Sequence, residues 1–254
     1  FFFFKQKTAY EIRNCDWSSD VCSSDLWVAP GTSGWSAIGA RVATMRANVD
    51  AALDAAARHG ASGLLMTSWG TNPSVSDWPG FVWAAAGAWN RHRRPDLGAA
   101  LDLAVVGTPD AGLGPVWSIL GTVSDRITPR ISEASSVSEM FRSGGMAGIG
   151  LALGGMTPAE LDAVDADLAD AAERLAVASV GPWREELEWV LRALRWGSAA
   201  ARLRLGWEGA RDADGLRAEH AALCAEHERL WFCQNRVGGY EHVRRELAAT
   251  LGGL

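Results

Sequence analysis

The segment that most constrains the fold runs from Gly63 to Gly70 (GLLMTSWG), a short apolar run that ends in a hydroxyl, a tryptophan and a glycine. Apolar runs of about four to eight residues between turn formers are typical of strands buried on both faces, as in parallel sheets. Ligands of α/β proteins bind at the carboxyl ends of such strands. Trp69 stands at that end, where its ring is a candidate wall for the flat apolar face of a sugar. A buried core side chain is the competing interpretation, and the run alone leaves both open.

A similar strand–helix unit precedes this segment. Trp27-Val28-Ala29 predicts a short strand, and a helix follows it, closed by Gly60 and carrying apolar residues at three- and four-residue steps: Ile38, Val42, Met45, Val49, Leu53 and Ala56. The second strand is predicted over 63–67, followed by a helix over about 80–92 with Phe81, Ala85 and Trp89 on one face. Strands and helices that alternate in this way indicate parallel strands joined by right-handed crossovers.

The sequence beyond Pro95 predicts helices only. Shorter helices are expected near 97–105, 113–121 and 135–143. Thr157-Pro158-Ala159-Glu160 has the pattern of a capping box with proline at the first helical position. It opens the first of four helices, and the later ones start after Gly181-Pro182, near 212 and near 240. This half is predicted to be an antiparallel helical bundle.

Residues 1–26 look like a translated DNA-sequencing adapter. They contain Lys5 and Lys7, which are the only lysines in the chain, and they begin with four consecutive phenylalanines. A secretory signal is the alternative, but the segment has no basic start, no sustained apolar core and no small-residue cleavage site. We therefore exclude 1–26 from the interpretation of the fold, which implies that the natural N-terminus is missing.

The composition excludes several classes of partner. The formal net charge is −6, which gives no support for binding nucleic acid or an anionic membrane surface. No window approaches the roughly 18 apolar residues of a membrane span. The glycines of 144–155 do not have the spacing of a phosphate loop, so no cofactor is predicted. Beyond residue 26, two cysteines are too few for a disulfide framework, which favours a reducing, cytoplasmic setting.

A candidate metal-ligating cluster occurs near the C-terminus. His220, Cys224 and His227 follow at i, i+4 and i+7, so one helix face presents all three. Leu216 and Leu223 lie close to the same stripe, and the spacing matches no recognised metal motif. A packed helix face is therefore predicted here, and no metal site.

Four motifs follow one another along the chain: Trp27 to Trp35 (WVAPGTSGW), Ala61 to Gly70 (ASGLLMTSWG), Gly87 to Asn90 (GAWN) and Leu230 to Gly239 (LWFCQNRVGG). Together they resemble one branch of glycoside hydrolase family 20, the β-N-acetylhexosaminidases that carry an additional C-terminal helical domain. The resemblance implies that 27–95 forms the last two β/α units of a (β/α)8 barrel. The fold class would then be α/β followed by an all-α bundle over 96–254.

The resemblance also implies a function. Family members remove terminal N-acetylhexosamine from glycans or glycoconjugates, and the acetamido oxygen of the substrate replaces an enzyme nucleophile. A Glu acts as the general acid and a neighbouring Asp orients the acetamido group. This Asp-Glu pair has no match in the sequence, so we assign no catalytic residue and expect the chain to be inactive by itself. The alternative is a non-catalytic helical interaction module.

The resemblance assigns a sugar-contacting role to Trp69, with Trp35 as a second wall and Thr71 at the position where the family has a carboxylate for sugar hydroxyls. Thr71 is a departure, because a hydroxyl cannot form the charge-assisted bonds of a carboxylate. Ser68 stands where the branch has Asp, and Pro73-Ser74 where it has Gly-His. These departures predict either a different substrate or a degenerate site.

Overall fold

The computed structural model describes residues 26–69, 74–128, 134–142 and 152–249. Two short strands and a series of helices make up this part of the chain. In chain order they are β1 (Trp27–Val28), α1 (Val42–His59), β2 (Gly63–Leu64), a 3-10 turn (Ser74–Ser76), α2 (Trp78–Trp89), α3 (Leu97–Leu101) continuing into a π-helical turn (Asp102–Val106), α4 (Leu113–Thr122), a 3-10 turn (Val123–Arg126), α5 (Ser136–Arg142), α6 (Pro158–Val177), α7 (Pro182–Arg204), α8 (Ala213–Gln234) and α9 (Tyr240–Ala249).

The predicted fold class is wrong. β1 and β2 pair in parallel, as expected, but they form a two-stranded sheet of two residues each, with one further bridge between Gly31 and Thr67. The described residues show no unit of a (β/α)8 barrel, and the chain fits an all-α class. The apolar run at 63–67 is also less buried than a strand covered on both faces, because Leu65 is 56% exposed and Leu64 and Met66 are only partly buried against the core.

Helix α1 forms largely as its apolar period predicts. Val42, Met45, Val49 and Leu53 are buried along one side. Gly60 ends the helix in the left-handed conformation, with φ of 66°, and its N–H donates to the carbonyl oxygen of Ala56. Glycine adopts this conformation without the steric cost that a Cβ would add, so the predicted cap is confirmed.

Helix α2 buries a different face from the predicted one. Trp89 is 93% exposed, whereas Trp83 is 7% exposed. Polar partners fix Trp83: its indole N–H donates to Asp50 Oδ1 at 3.0 Å, and the guanidinium of Arg46 lies 4.6 Å from its ring centroid. Trp83 and Trp89 each lie on a helix face made by apolar residues four positions apart. The spacing alone therefore could not show which of the two is buried.

The helical half is organised around α7, which contacts α4, α5, α6 and α8. Trp189 and Trp196 of α7 are 1% and 0% exposed. Their indole N–H groups donate to the carbonyl oxygens of Leu223 and Leu216 on α8, at 2.9 and 2.8 Å. A buried indole needs such an acceptor, and these two bonds join α7 to α8.

Helix α6 begins as its capping box predicts. The Thr157 hydroxyl accepts from the backbone N–H of Glu160, and the Glu160 carboxylate accepts from the backbone N–H of Thr157. The two reciprocal bonds satisfy N–H groups that a helix start leaves without intrahelical partners. None of the described helices is long and apolar enough to cross a membrane.

One hydrophobic core joins the two predicted segments. Its buried side chains form a single cluster that extends from Ile38 in the loop after β1 to Leu247 in α9. Within the cluster, Trp117 of α4 donates its indole N–H to the carbonyl oxygen of Val75 at 2.6 Å. The sheet and its loops are therefore attached to the helices by apolar packing and by buried hydrogen bonds.

The closest approach of α7 to α5 depends on Gly197. A Cβ atom at this position would lie 2.5 Å from the carbonyl oxygen of Val137, which is well inside van der Waals contact. We expect Gly197→Ala to destabilise the fold, because the backbone of α5 must move to admit a methyl group. Overpacking of this kind costs about 1–3 kcal/mol, which exceeds the gain of roughly 1 kcal/mol from helix propensity.

Thermal unfolding followed by circular dichroism measures this effect, and we expect the midpoint to fall by about 2–4 °C. Gly181→Ala is a control for a methyl group that meets no atom, since nothing lies within 4 Å of a Cβ built there; Gly181 is the N-cap of α7, so this variant gains no interior helix propensity. Equal midpoints for the two variants would contradict the role assigned to Gly197.

Candidate functional site

The carboxyl ends of β1 and β2 meet at one edge of the sheet. Pairing continues past the strands, with the N–H of Thr67 donating to the Pro30 carbonyl at 3.0 Å and that of Thr32 donating to the Thr67 carbonyl at 2.9 Å. Because parallel strands end on the same side, the residues after these bonds are brought together. This edge, with Thr32, Ser68, Trp69 and their neighbours, is the candidate site.

Trp69 presents an open aromatic surface at this edge. The side chain is 74% exposed, and its indole N–H donates to Thr67 Oγ1 at 3.0 Å. The hydrogen bond restrains the ring orientation and satisfies its only polar group, so the remaining surface is apolar. The structure thus places Trp69 at the surface, and the competing interpretation of Trp69 as a core residue is wrong.

Trp35 lies against the end of β1. A Cβ built at Gly31 would be 2.5 Å from its Cζ3 atom and 3.5 Å from Thr67 Oγ1, so the Trp35 ring is close to the hydroxyl that holds Trp69. The Arg41 guanidinium is 5.3 Å from the Trp35 ring centroid, which is within range of a cation–π contact. Trp35 is half-buried. Thr71, the third predicted contact, lies outside the described residues.

Asp77 is the member of the site that the sequence did not identify. Its Oδ2 accepts a hydrogen bond from the Ser68 hydroxyl at 2.6 Å, and its Oδ1 accepts one from the Thr32 hydroxyl. Asp before Trp-Pro at a helix start has the pattern of an N-cap. The side chain makes no capping bond to α2, however, and instead connects the ends of the two strands.

The loop that follows β1 is strained. Ser33, Ser36 and Ala40 have φ values of 56°, 51° and 82°, a left-handed region that residues with a Cβ rarely adopt. Each costs roughly 1–3 kcal/mol and persists only where surrounding contacts enforce it. The Ser33 hydroxyl is also buried, with no hydrogen-bond partner in the part of the chain that the structure describes. Strain of this kind is concentrated at functional sites.

Hydrogen bonds to α5 hold this loop in place. The N–H of Ile38 donates to Ser138 Oγ at 2.8 Å, and the N–H of Ser135 donates to the Ser36 carbonyl at 3.0 Å. A third bond ties the loop to the turn before α2, from the Gly39 N–H to Ser76 Oγ at 3.2 Å. The helical half thereby fixes the position of the strand ends.

Helix α7 carries a buried carboxyl. Glu186 is 4% exposed, and burial raises the pKa of its side chain to about 7. Helix α7 contacts the 3-10 turn Ser74–Ser76, and its Val190 approaches Gly39. Carboxyls with a raised pKa occur at functional sites and in structural cores alike, so Glu186 receives no role on this ground alone.

Two concave surfaces lie away from the strand ends. One, of about 290 Å³, is bounded by α1 and the amino end of β2, including Leu53, Ala57 and Gly63. The other, of about 300 Å³, lies between α8 and α9 and includes Cys224 and Tyr240. Neither combines an exposed aromatic ring with a polar cluster as the strand ends do. The strand ends are kept as the candidate site because the Trp69 ring is exposed there, and neither concave surface includes that ring.

The residues weighed as metal ligands form a packed helix face, as predicted. His220 is buried and its Nε2 lies 3.2 Å from the carbonyl oxygen of Phe141, while Cys224 Sγ lies 3.4 Å from His220 Nδ1. Burial raises the pKa of the Cys224 thiol to about 11, so the thiolate that binds metals is disfavoured. Among the described residues no group of three or more His, Cys, Asp and Glu side chains is placed to hold a metal ion.

Comparison with known proteins assigns no family. No protein-family model matches the sequence, and a search of curated proteins finds no significant match. The similarity to glycoside hydrolase family 20 therefore depends on the four sequence motifs and stays a prediction.

The buried His227 predicts acid sensitivity. Its ring packs 4.9 Å from that of Trp189 and stacks at 6.0 Å on Tyr240, and burial lowers its pKa from 6.5 to about 4. Above pH 6.5 the imidazole is neutral whether the chain is folded or unfolded. Between pH 6.5 and about 4 the unfolded chain takes up the proton first, so stability falls with falling pH, by about 3 kcal/mol in total.

Urea unfolding at a series of pH values measures this loss. We expect His227→Leu to reduce the slope of stability against pH in that window, with a residual slope from His220, whose pKa burial also lowers. His242→Leu is the control, because the His242 side chain is 62% exposed on α9. A slope that His227→Leu leaves unchanged would show that His227 is not the group responsible.

Proposed function

We propose that this chain supplies the sugar-contacting wall of a glycosidase of the β-N-acetylhexosaminidase type, acting on terminal N-acetylhexosamine of glycans or glycoconjugates. The observation that carries the proposal is the open indole of Trp69 at the carboxyl ends of two parallel strands. The sequence motifs that resemble glycoside hydrolase family 20 predict the same role for this residue.

The chemistry of the site suits a sugar ring. One face of a pyranose presents C–H groups and its rim presents hydroxyls. An exposed aromatic ring offers the C–H face a large apolar contact, and hydrogen-bonding groups can meet the hydroxyls. Trp69 provides the exposed ring at this edge. Since Thr67 already restrains the indole, little ordering of this side chain is required on binding.

The role of this chain is binding, with proton transfer assigned elsewhere. Substrate-assisted hydrolysis needs a general acid and a carboxylate that orients the acetamido group. The sequence has no match for that Asp-Glu pair, so the role proposed for this chain is to hold the sugar.

A non-catalytic helical interaction module is the second candidate function. The predominance of helix in the described residues favours it, as does the apolar surface at the α6–α7 turn, where Val177 and Val180 are 87% and 93% exposed. Such a module would not require an oriented, exposed indole at the strand ends. Sugar binding at Trp69 therefore separates the two proposals.

The first test concerns hydrolysis. We expect the purified chain to release no aryl group from an aryl N-acetylglucosaminide above the buffer rate, because no acid–base pair is assigned in it. Absorbance or fluorescence of the released aryl alcohol measures this directly. Turnover by the chain that Trp69→Ala abolishes would mean that the chain carries its own general acid.

The second test concerns binding. We expect the fluorine NMR signal of Trp69 to shift when 5-fluorotryptophan-labelled protein is titrated with N-acetylglucosamine or its short β-linked oligomers. Trp69→Phe assigns the signal among the 13 tryptophans. Trp89 is the matched control, since it is 93% exposed on α2. No response at Trp69, or the same shift at Trp69 and Trp89, would contradict the proposal.

A further inference from the structure

The cavity between α8 and α9, with a volume of about 300 Å³, has the lining of a small-molecule site. Its apolar wall consists of Ala221 and Ala225 from α8 and of Leu247 and Ala248 from α9. Ligand pockets typically measure about 300–1,000 Å³, so the α8–α9 cavity is at the small end of that range. Its size and its apolar wall therefore favour a compact ligand with a single ring.

Tyr240 gives the α8–α9 cavity a buried polar group that lacks a partner. Its side chain lines the cavity and is 5% exposed. Among the described residues, no group forms a hydrogen bond with its hydroxyl. Burial and then the negative charge of Glu228 raise the pKa of Tyr240 to about 12, so the phenol keeps its proton. Buried hydroxyls nearly always have hydrogen-bond partners, and a ligand in the cavity would supply the missing one.

The charge of the cavity comes from Glu228. Two charged side chains line it, Glu228 on α8 and Arg244 on α9. Arg244 is already paired with Glu241, to which its Nε and Nη2 atoms both donate at 2.9 Å. Glu228 is exposed and has no hydrogen bond or ion pair in the part of the chain that the structure describes. Its charge affects the pKa of Tyr240 more than that of Arg244 does, so the potential at the phenol is negative.

His220 and Cys224, which also line the cavity, add no charge at neutral pH. Burial lowers the pKa of the His220 imidazole and raises that of the Cys224 thiol to about 11. The two side chains contact each other, with 3.4 Å between Cys224 Sγ and His220 Nδ1. Among the described side chains that line the cavity, Glu228 therefore carries the only unpaired charge.

We propose that the α8–α9 cavity binds a small organic ammonium ion, with the apolar body between the two helices and the cationic group at Tyr240 and Glu228. The ammonium donates hydrogen bonds to the Tyr240 hydroxyl oxygen and to the Glu228 carboxylate, and the second of these bonds is charge-assisted. This site is separate from the strand ends, so the inference is independent of sugar binding at Trp69.

Other classes of ligand fit the cavity less well. An anion would be repelled by Glu228, and Arg244 would have to leave Glu241 to bind it. A neutral alcohol of the same shape could bond to Tyr240 but would lack the charge-assisted contact with Glu228. The preference for a cation over a neutral ligand of equal size is therefore the property that identifies the site.

Fluorine NMR of the full chain labelled with 3-fluorotyrosine measures this preference. The chain has two tyrosines, Tyr10 and Tyr240, and Tyr240→Phe assigns the two signals. The ligands are benzylamine, benzyl alcohol and benzoate, which have similar shapes and are cationic, neutral and anionic at neutral pH. Glu228→Gln removes the charge of the cavity. Glu173→Gln is the matched control, since it removes one negative charge from an exposed position on α6.

We expect the Tyr240 signal of the wild type and of Glu173→Gln to shift with benzylamine, and benzyl alcohol to bind at least about threefold more weakly. The ratio is modest because solvent screens a charge at an exposed position. Benzoate is expected to cause no shift. Glu228→Gln should bind benzylamine and benzyl alcohol equally. Ala225→Leu should weaken both ligands by at least about tenfold, because the larger side chain occupies the cavity.

Three outcomes would overturn the proposal. The first is a Tyr240 signal that none of the three ligands shifts in the wild type. The second is a preference for benzylamine that Glu228→Gln retains to the same degree as Glu173→Gln. The third is unchanged binding by Ala225→Leu. Circular dichroism and the unfolding midpoint check that each variant is folded, and Ala221→Leu provides the same test if Ala225→Leu does not fold.

Discussion

The packing of α7 against its neighbours is the constraint on which the rest of the described structure depends. This helix is buried on most of its sides, with Trp189 and Trp196 bonded to carbonyls of α8 and Gly197 pressed on α5. Ser138 of α5 and Ser135, the residue before it begins, in turn hold the strained loop after β1. A chain of contacts thus leads from the centre of the helical bundle to the strand ends. The position of Trp69 and Asp77 follows from packing as well as from strand pairing.

Features set by local sequence could be predicted, and features set by distant contacts could not. The capping box at Thr157 and the glycine cap at Gly60 depend on residues within one helical turn, and both form. The extent of strand pairing and the buried face of α2 depend on what packs against them. An apolar run or a four-residue period is compatible with several such environments, which explains the incorrect barrel and the exposed Trp89.

The candidate site shows the same division. The sequence indicates Trp69 because it follows an apolar run, and ligands of α/β proteins bind at the carboxyl ends of such strands. Asp77 was not identified, because its partners Thr32 and Ser68 are distant in sequence or lie across a turn, and the local pattern indicated a helix cap. Hydrogen bonds between side chains of different elements leave no periodic signal in a sequence.

The continuous core limits what truncated forms of this protein can show. One cluster of buried side chains extends from the loop after β1 to α9. Dividing the chain near Pro95 would therefore expose apolar surface on both fragments. Loss of binding by a shortened protein would then report a collapsed scaffold and would say nothing about which residues touch the ligand. Assigning function here calls for single, shape-conserving replacements in the whole polypeptide.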